Sequence, residues 1–246
     1  MKNGPVHTDT LVIIPAFNEE KSIVQVVESI KRMQPDMEVI VIDDGSQDTT
    51  AVLAEKAGAS VLSHPFNMGY GVSLQTGYKY AVHNNYQYLV QMDGDGQHDP
   101  QGISILVENV KNGRADIVLG SRFMGATTYK PSLLRSIGIR LFRALLRILS
   151  GEKIQDVTTG FQAMNRRVLD LFITDLFPCD YPDADVILLL SKLHFRIMEV
   201  PVTMHQDLSG KSIHDNPFQV LYYIFKMFLS MFLTKLRRYS INQGGE

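Results

Sequence analysis

The sequence predicts an α/β fold, a mostly parallel sheet with flanking helices and a C-terminal hydrophobic helix. Short runs rich in Val and Ile recur between longer amphipathic stretches, the pattern of buried parallel strands joined by helices. Three of these runs end in clusters of acidic residues with Gly, Ser or Asn, at the strand ends where open parallel sheets bind ligands. The size agrees: 246 residues with 45% hydrophobic and 20% charged side chains can bury one large core.

The strands are read, in order, at Leu11–Pro15, Glu38–Ile42, Ser60–Ser63, Tyr88–Met92, Asp116–Leu119 and Arg196–Val200. Helical stretches lie between them at about 20–33, 48–57, 69–84 and 100–111. Ser46 is read as the N-cap of the second helix, and Asp99 followed by Pro100 as a cap and first-turn pair for the fourth. No repeat and no low-complexity linker interrupts the chain. One compact unit over 1–215 and an appendage over 216–246 are expected.

Composition excludes several functions. With 24 Lys+Arg against 26 Asp+Glu the net charge is −2, so no overall positive field holds a nucleic acid. A mean hydropathy of −0.03 excludes a disordered chain. The lone cysteine, Cys179, makes no intramolecular disulfide and fits a reducing compartment. The segment MKNGPVHTDT has no apolar run of a signal peptide, so a cytoplasmic location is expected.

The first strand ends in Pro15-Ala16-Phe17-Asn18-Glu19-Glu20, the second in Asp43-Asp44-Gly45-Ser46 and the fourth in Asp93-Gly94-Asp95-Gly96-Gln97-His98. Carboxylates crowded on one sheet edge repel unless they hold a cation or order a ligand's N–H and hydroxyl groups. Asp93 and Asp95 on a glycine turn can both face one hard divalent ion, with Gln97 adding an oxygen and substrate phosphates completing the shell. An EF-hand does not fit, because the glycine stands at loop position four and Ser104 occupies the place of the last glutamate. Gly69-Tyr70-Gly71 does not make a dinucleotide fingerprint, since Gly77 comes too late and the stretch does not follow the first strand.

Together these motifs resemble the family 2 glycosyltransferases of the GT-A fold, closest to the polyprenyl-phosphate sugar transferases. The resemblance runs from about Leu11 to Ser212. It implies a Rossmann-like sheet, a nucleotide-diphosphate sugar donor such as a UDP- or GDP-sugar, and Mg²⁺ or Mn²⁺. Pro15, Phe17 and Glu19 resemble the nucleotide-binding first loop, and Ile42 and Asp44 the contacts to the base. Asp93-Gly94-Asp95 resembles the Asp-x-Asp metal motif, with Gln97 as a further ligand. Gly120-Ser121-Arg122 resembles a segment whose arginine engages phosphate, and Asp156 with Thr159-Gly160-Phe161 the segment near the acceptor. Val200-Pro201-Val202 and Gly210-Lys211-Ser212 resemble the closing loop. There the sequence departs, because Asp207 stands where the family has an arginine, and Lys211 or Lys130 would have to replace its charge.

On this reading Asp95, Arg122 and Asp156 carry the chemistry, by an inverting transfer. A lipid monophosphate with a second pKa near ~6 is already anionic and needs no base. A sugar hydroxyl does need one, and Asp156 is then the candidate. Residues 133–149 form a basic amphipathic helix: Arg140, Arg143 and Arg147 on one side, Leu134, Ile137, Leu141, Leu145 and Ile148 opposite. Such a helix suits an anionic membrane surface, where Arg122 and Arg135 would hold an acceptor phosphate. Residues 218–234 form a second apolar stretch whose 17 residues would reach ~26 Å, short of a ~30 Å hydrocarbon core. An interfacial helix is expected, peripheral at the cytosolic membrane face, or one that docks an integral-membrane partner or a second copy of the chain. The rival readings are transfer to a hydroxyl of a glycan or lipid-linked saccharide, and a non-catalytic nucleotide-binding membrane partner.

Overall fold

The computed structural model describes residues 8–124, 133–178, 180, 182–205 and 217–237. Its strands are β1 (Thr10–Ala16), β2 (Glu38–Asp43), β3 (Ser60–Ser63), β4 (Tyr88–Gln91), β5 (Ile117–Ser121), β6 (Gln162–Asn165) and β7 (Ile197–Pro201). The helices are α1 (Ile23–Met33), α2 (Thr50–Lys56), α3 (Tyr70–His83), α4 (Gly102–Lys111), α5 (Leu133–Ser150), α6 (Arg166–Phe172), α7 (Ala184–Lys192) and α8 (Pro217–Leu236). One sheet in the order β3-β2-β1-β4-β6-β5-β7 holds all seven strands. All pairs are parallel except those of β6, which runs antiparallel to β4 and β5.

Alternation along each strand builds two cores. Leu11, Ile13, Ile40, Ile42, Leu89 and Ile117 face α3 and the later helices, while Val12, Ile14, Val39, Val41, Val90 and Val118 face the opposite layer. Both faces are therefore buried, which is why these strands read as unbroken apolar runs. Gly77 lets α3 approach β1 closely: a Cβ there would fall 2.8 Å from Ile13 Cδ1. Asp116, just before β5, ties the far end together. It accepts hydrogen bonds from the Arg196 backbone N–H (2.8 Å), Arg196 Nη2 (3.1 Å) and Asn165 Nδ2 (2.9 Å).

Several expectations are corrected. The sequence reading missed β6, α6 and α7. Ser46 is not a helix cap; α2 begins after Thr49, and the Ser46 hydroxyl accepts the Asn18 N–H at 2.9 Å. Asp99 caps a turn ahead of α4 rather than the helix itself, its carboxylate accepting the Gln101 N–H. In α5 the buried stripe is Ile139, Phe142 and Leu146, whereas Leu141 and Ile148 from the expected apolar face are exposed. The helix thus has three sectors: a core stripe, Arg140 and Arg147 in solvent, and an outward apolar edge. The last helix is three residues longer than expected, 20 residues or ~30 Å. No helix among the described residues is long and apolar enough to cross a membrane.

Candidate active site

The carboxyl ends of β1, β2 and β4 meet at one edge. Loops after β1 and β2 are clasped: Gln47 N–H donates to Asn18 Oδ1 (2.8 Å), Glu19 N–H to Thr50 Oγ1 (2.8 Å), and the Thr49 hydroxyl to Glu20 Oε2 (2.9 Å). Asn18 takes a left-handed conformation (φ 56°), which asparagine tolerates. Pro15 is buried and Phe17 is 42% exposed at the mouth of this edge. Ile42 is buried among core side chains. Asp44 is buried too, its carboxylate accepting from Met68 N–H (2.9 Å), Gly69 N–H (2.8 Å) and His64 Nδ1 (2.7 Å). It thereby fixes the loop that leads into α3.

The Asp93-Gly94-Asp95 turn lies directly beyond β4. Gly94 passes against β1, where a Cβ would sit 3.4 Å from the Pro15 carbonyl oxygen. Asp95 Oδ1 accepts the Gln97 N–H at 2.9 Å, holding the turn closed. Asp93 Oδ1 accepts the Tyr70 hydroxyl at 2.8 Å. His98 is buried and stacks on Phe161 with centroids 5.0 Å apart. Burial pushes its imidazole down to about 4; Arg122 adds to this, while Asp95 and Asp156 oppose it. Its Nδ1 accepts the Asp93 backbone N–H (3.2 Å), leaving Nε2 to carry the proton 3.7 Å from Asp93 Oδ2. Thr203–His205 are tied to the same turn through His205 N–H to the Gln97 carbonyl (2.8 Å).

These donors suit a hard divalent cation, since Asp93, Asp95 and Gln97 all offer oxygen. Among the described residues no three His, Cys, Asp or Glu side chains form a self-sufficient metal cage. Water or the oxygens of a bound diphosphate would complete the shell of an ion here.

Arg122, at the end of β5, is 3% exposed and Asp156 fully buried. The guanidinium grips the carboxylate with both prongs, Nε to Oδ2 and Nη2 to Oδ1, each at 2.6 Å, and also reaches Thr158 Oγ1 at 2.8 Å. Glu199 Oε1 accepts the Asp156 backbone N–H at 2.7 Å. The segment then returns to the Asp-x-Asp turn: a Cβ on Gly160 would lie 2.4 Å from Asp93 Oδ2, so any larger residue there would displace the Asp93 carboxylate. Arg135 stands on α5 with its side chain outside the described residues, as do Cys179, Lys130, Asp207 and Lys211.

Sequence reasoning missed Tyr70, Gln91 and Asp183. Burial raises the Tyr70 phenol well above its ordinary range, and Asp93 adds to the shift, so it stays a proton donor. Asp183 precedes α7; burial, with Asp185 beside it, pushes its carboxyl up to about 6, and it feels the charges of Arg122 and Asp93. Tyr223 of α8 donates to Asp183 Oδ2, and Ser230 donates to Asp185 Oδ2. The signal available was two acids, Asp183 and Asp185, heading a wholly apolar run.

A mostly parallel seven-stranded sheet with an Asp-x-Asp turn at its carboxyl edge is a fold of the GT-A type. The chain belongs to glycosyl transferase family 2, whose pattern matches residues 11–172. It is 30% identical over 228 residues to the polyprenol monophosphomannose synthase of Mycolicibacterium smegmatis, covering 86% of this chain and 85% of that one. It is 30% identical over 214 residues to the undecaprenyl-phosphate mannosyltransferase of Micrococcus luteus, covering 82% and 86%. In fold it is similar to the glucosyl-3-phosphoglycerate synthase of Mycobacterium tuberculosis, solved with Mn²⁺ and uridine-diphosphate-glucose. That match has a TM-score of 0.69 and 23% identity, covering 92% of this chain and 78% of the other.

Proposed function

We propose that this glycosyltransferase moves a sugar from a nucleotide-diphosphate donor to a polyprenyl phosphate, while lying peripherally on the cytosolic membrane face. One observation carries the acceptor assignment. α8 packs through Met227 and Met231, while Tyr222, Phe225, Leu229, Phe232, Leu233 and Leu236 are 45–66% exposed along its outer side. The inner side of the same helix holds Asp183, within electrostatic reach of Asp93 and Arg122. An apolar landing surface attached to the reacting centre suits a substrate whose tail lies in lipid. The two named relatives act on polyprenol or undecaprenyl phosphate by name, which supports the same class.

Asp93, Asp95 and Gln97 would hold Mg²⁺ or Mn²⁺, which as a Lewis acid stabilises the charge on the leaving diphosphate. Pro15, Phe17, Glu19, Ile42, Asp44 and Gly94 form the proposed donor side. Asp156 has both oxygens bound by Arg122, so it is poorly placed to take a proton. An ionised phosphate acceptor requires no base. Of the two arginines assigned to that phosphate, Arg122 must loosen its hold on Asp156 to make direct contact, so Arg135 is the more direct candidate. Residues 1–215 would be the catalytic unit and 216–246 its membrane or partner attachment.

Asp183 favours a second reading, transfer to a hydroxyl. A carboxyl raised to about 6 beside the site matches what a general base needs. Asp183→Asn separates the two readings when transfer is measured on short-chain polyprenyl phosphate and on a glycan acceptor. A phosphate acceptor predicts less than about a tenfold fall in kcat. A base would cost about 10²–10⁴-fold, and only with the glycan as the working substrate.

A further inference from the structure

We propose that Tyr70 is a positioning residue for the metal-binding carboxylate of Asp93, the last link of a buried relay running from Tyr78 through Gln91. The inference rests on the metal-dependent reading above. Chemistry fixes the direction of each bond. The Tyr78 hydroxyl donates to Gln91 Oε1 at 2.6 Å. The Gln91 amide nitrogen then faces Tyr70 and donates to its phenol oxygen at 3.1 Å. Tyr70 has one proton, and it goes to Asp93 Oδ1 at 2.8 Å. With the amide turned round, the Tyr78 proton would face an NH₂ group and lose its acceptor. The relay therefore runs one way, and ends on a carboxylate.

Tyr78 and Gln91 are 1% and 3% exposed, so the relay is anchored in the core rather than on a mobile surface. Tyr78 is itself wedged between Phe172 and Phe177, each with its ring centroid 5.3 Å away. On the far side of Asp93 the Gly160 backbone leaves no room for a methyl group, and the His98 ring stands 3.7 Å from Oδ2. Asp93 is thus confined between a phenol donor, an imidazole and a glycine. A carboxylate has about four lone-pair sites, so one bond from Tyr70 is compatible with coordination. Partners that orient a ligand in this way typically contribute 10–100-fold in metal affinity. Gly69 and Gly71, unexplained as a dinucleotide motif, now flank the residue that performs this task.

The test is titration of the full chain with Mn²⁺ alone, read by loss of the free-ion paramagnetic resonance signal. Tyr70→Phe should raise the Kd for Mn²⁺ about 10–100-fold with little change in Tm. Tyr78→Phe, two bonds further back, should shift it less and in the same direction. Gln91→Met cuts the relay without touching either tyrosine and should weaken Mn²⁺ binding even if Tyr70→Phe fails to fold. Tyr86→Phe, a phenol bonded to Glu38 far along the sheet, should leave Kd unchanged. Wild-type Mn²⁺ affinity in Tyr70→Phe or in Gln91→Met overturns the inference while the metal reading stands. A wild-type chain that binds no Mn²⁺ overturns both.

Discussion

Asp95 and Asp156 are both acids of the proposed site, and their environments give them opposite fates on mutation. Asp95 sits half-buried on a glycine turn, so Asp95→Asn should leave Tm within about a degree while turnover at saturating Mn²⁺ nearly vanishes, through loss of an anionic ligand. Wild-type turnover in that variant would remove the metal assignment. Asp156 is fully buried under Arg122, so Asp156→Asn leaves a buried cation uncompensated, at a cost of roughly 3–5 kcal/mol. At roughly 2–4 °C per kcal/mol for a chain of this size, Tm should fall by about 6–20 °C. Calorimetry beside kcat on the folded fraction decides the role, because a general base would show the reverse, an unchanged Tm and a collapsed kcat. The Asp93-Gly94-Asp95 carboxylates were legible in the sequence because their relation is local, one residue apart on a turn. The Arg122–Asp156 grip was not, since the two residues are 34 apart and only the fold reveals that each occupies the other.

At the scale of elements, legibility followed burial on both faces. β1, β2 and β4 announce themselves as Val and Ile runs because helices cover both sides of the sheet. β6 is Gln-Ala-Met-Asn, with no β-branched residue; it is a strand because β4 and β5 leave a gap that its backbone fills. α7 is buried nearly all round, so it lacks the amphipathic period by which helices are recognised. α8 is apolar on both its inner and its outer side, so its sequence could not say which would meet protein and which would remain outward. Its C-terminal carbonyls are gathered by Lys192 Nζ, which donates to those of Thr234, Lys235 and Arg237 at 2.8–2.9 Å, so the helix is fastened to α7. The double change Phe225→Ser with Phe232→Ser touches only the outer side. It should reduce sedimentation with lipid vesicles at least tenfold and leave Tm nearly unchanged. A large fall in Tm with vesicle binding intact would make the stripe a folding surface instead.

The whole molecule carries a net charge of −2, yet its charge is unevenly shared between two regions. The sheet edge collects Glu19, Asp44, Asp93 and Asp95, whereas Arg140, Arg147 and Lys235 are exposed on the two helices of the apolar flank and Arg237 just past the end of α8. The ends of these helices are joined, since Lys235 Nζ donates to the Leu149 carbonyl at 2.7 Å. Cations next to an outward apolar stripe should favour anionic lipid by about 1 kcal/mol each, so four give up to about 10³-fold over neutral vesicles at low salt. Raising ionic strength from 0.1 to 1 M shortens the screening length from about 10 to about 3 Å and should erase most of that preference. The apolar contribution is not screened in this way, so binding should fall toward the neutral-vesicle value rather than to zero. The measurement is co-sedimentation with vesicles of neutral lipid and of neutral lipid mixed with anionic lipid, across that salt range. Equal binding to both at low salt would show that the cations take no part in docking. Loss of all binding at high salt would show that the stripe takes none, and the polyprenyl-phosphate reading would lose its main support.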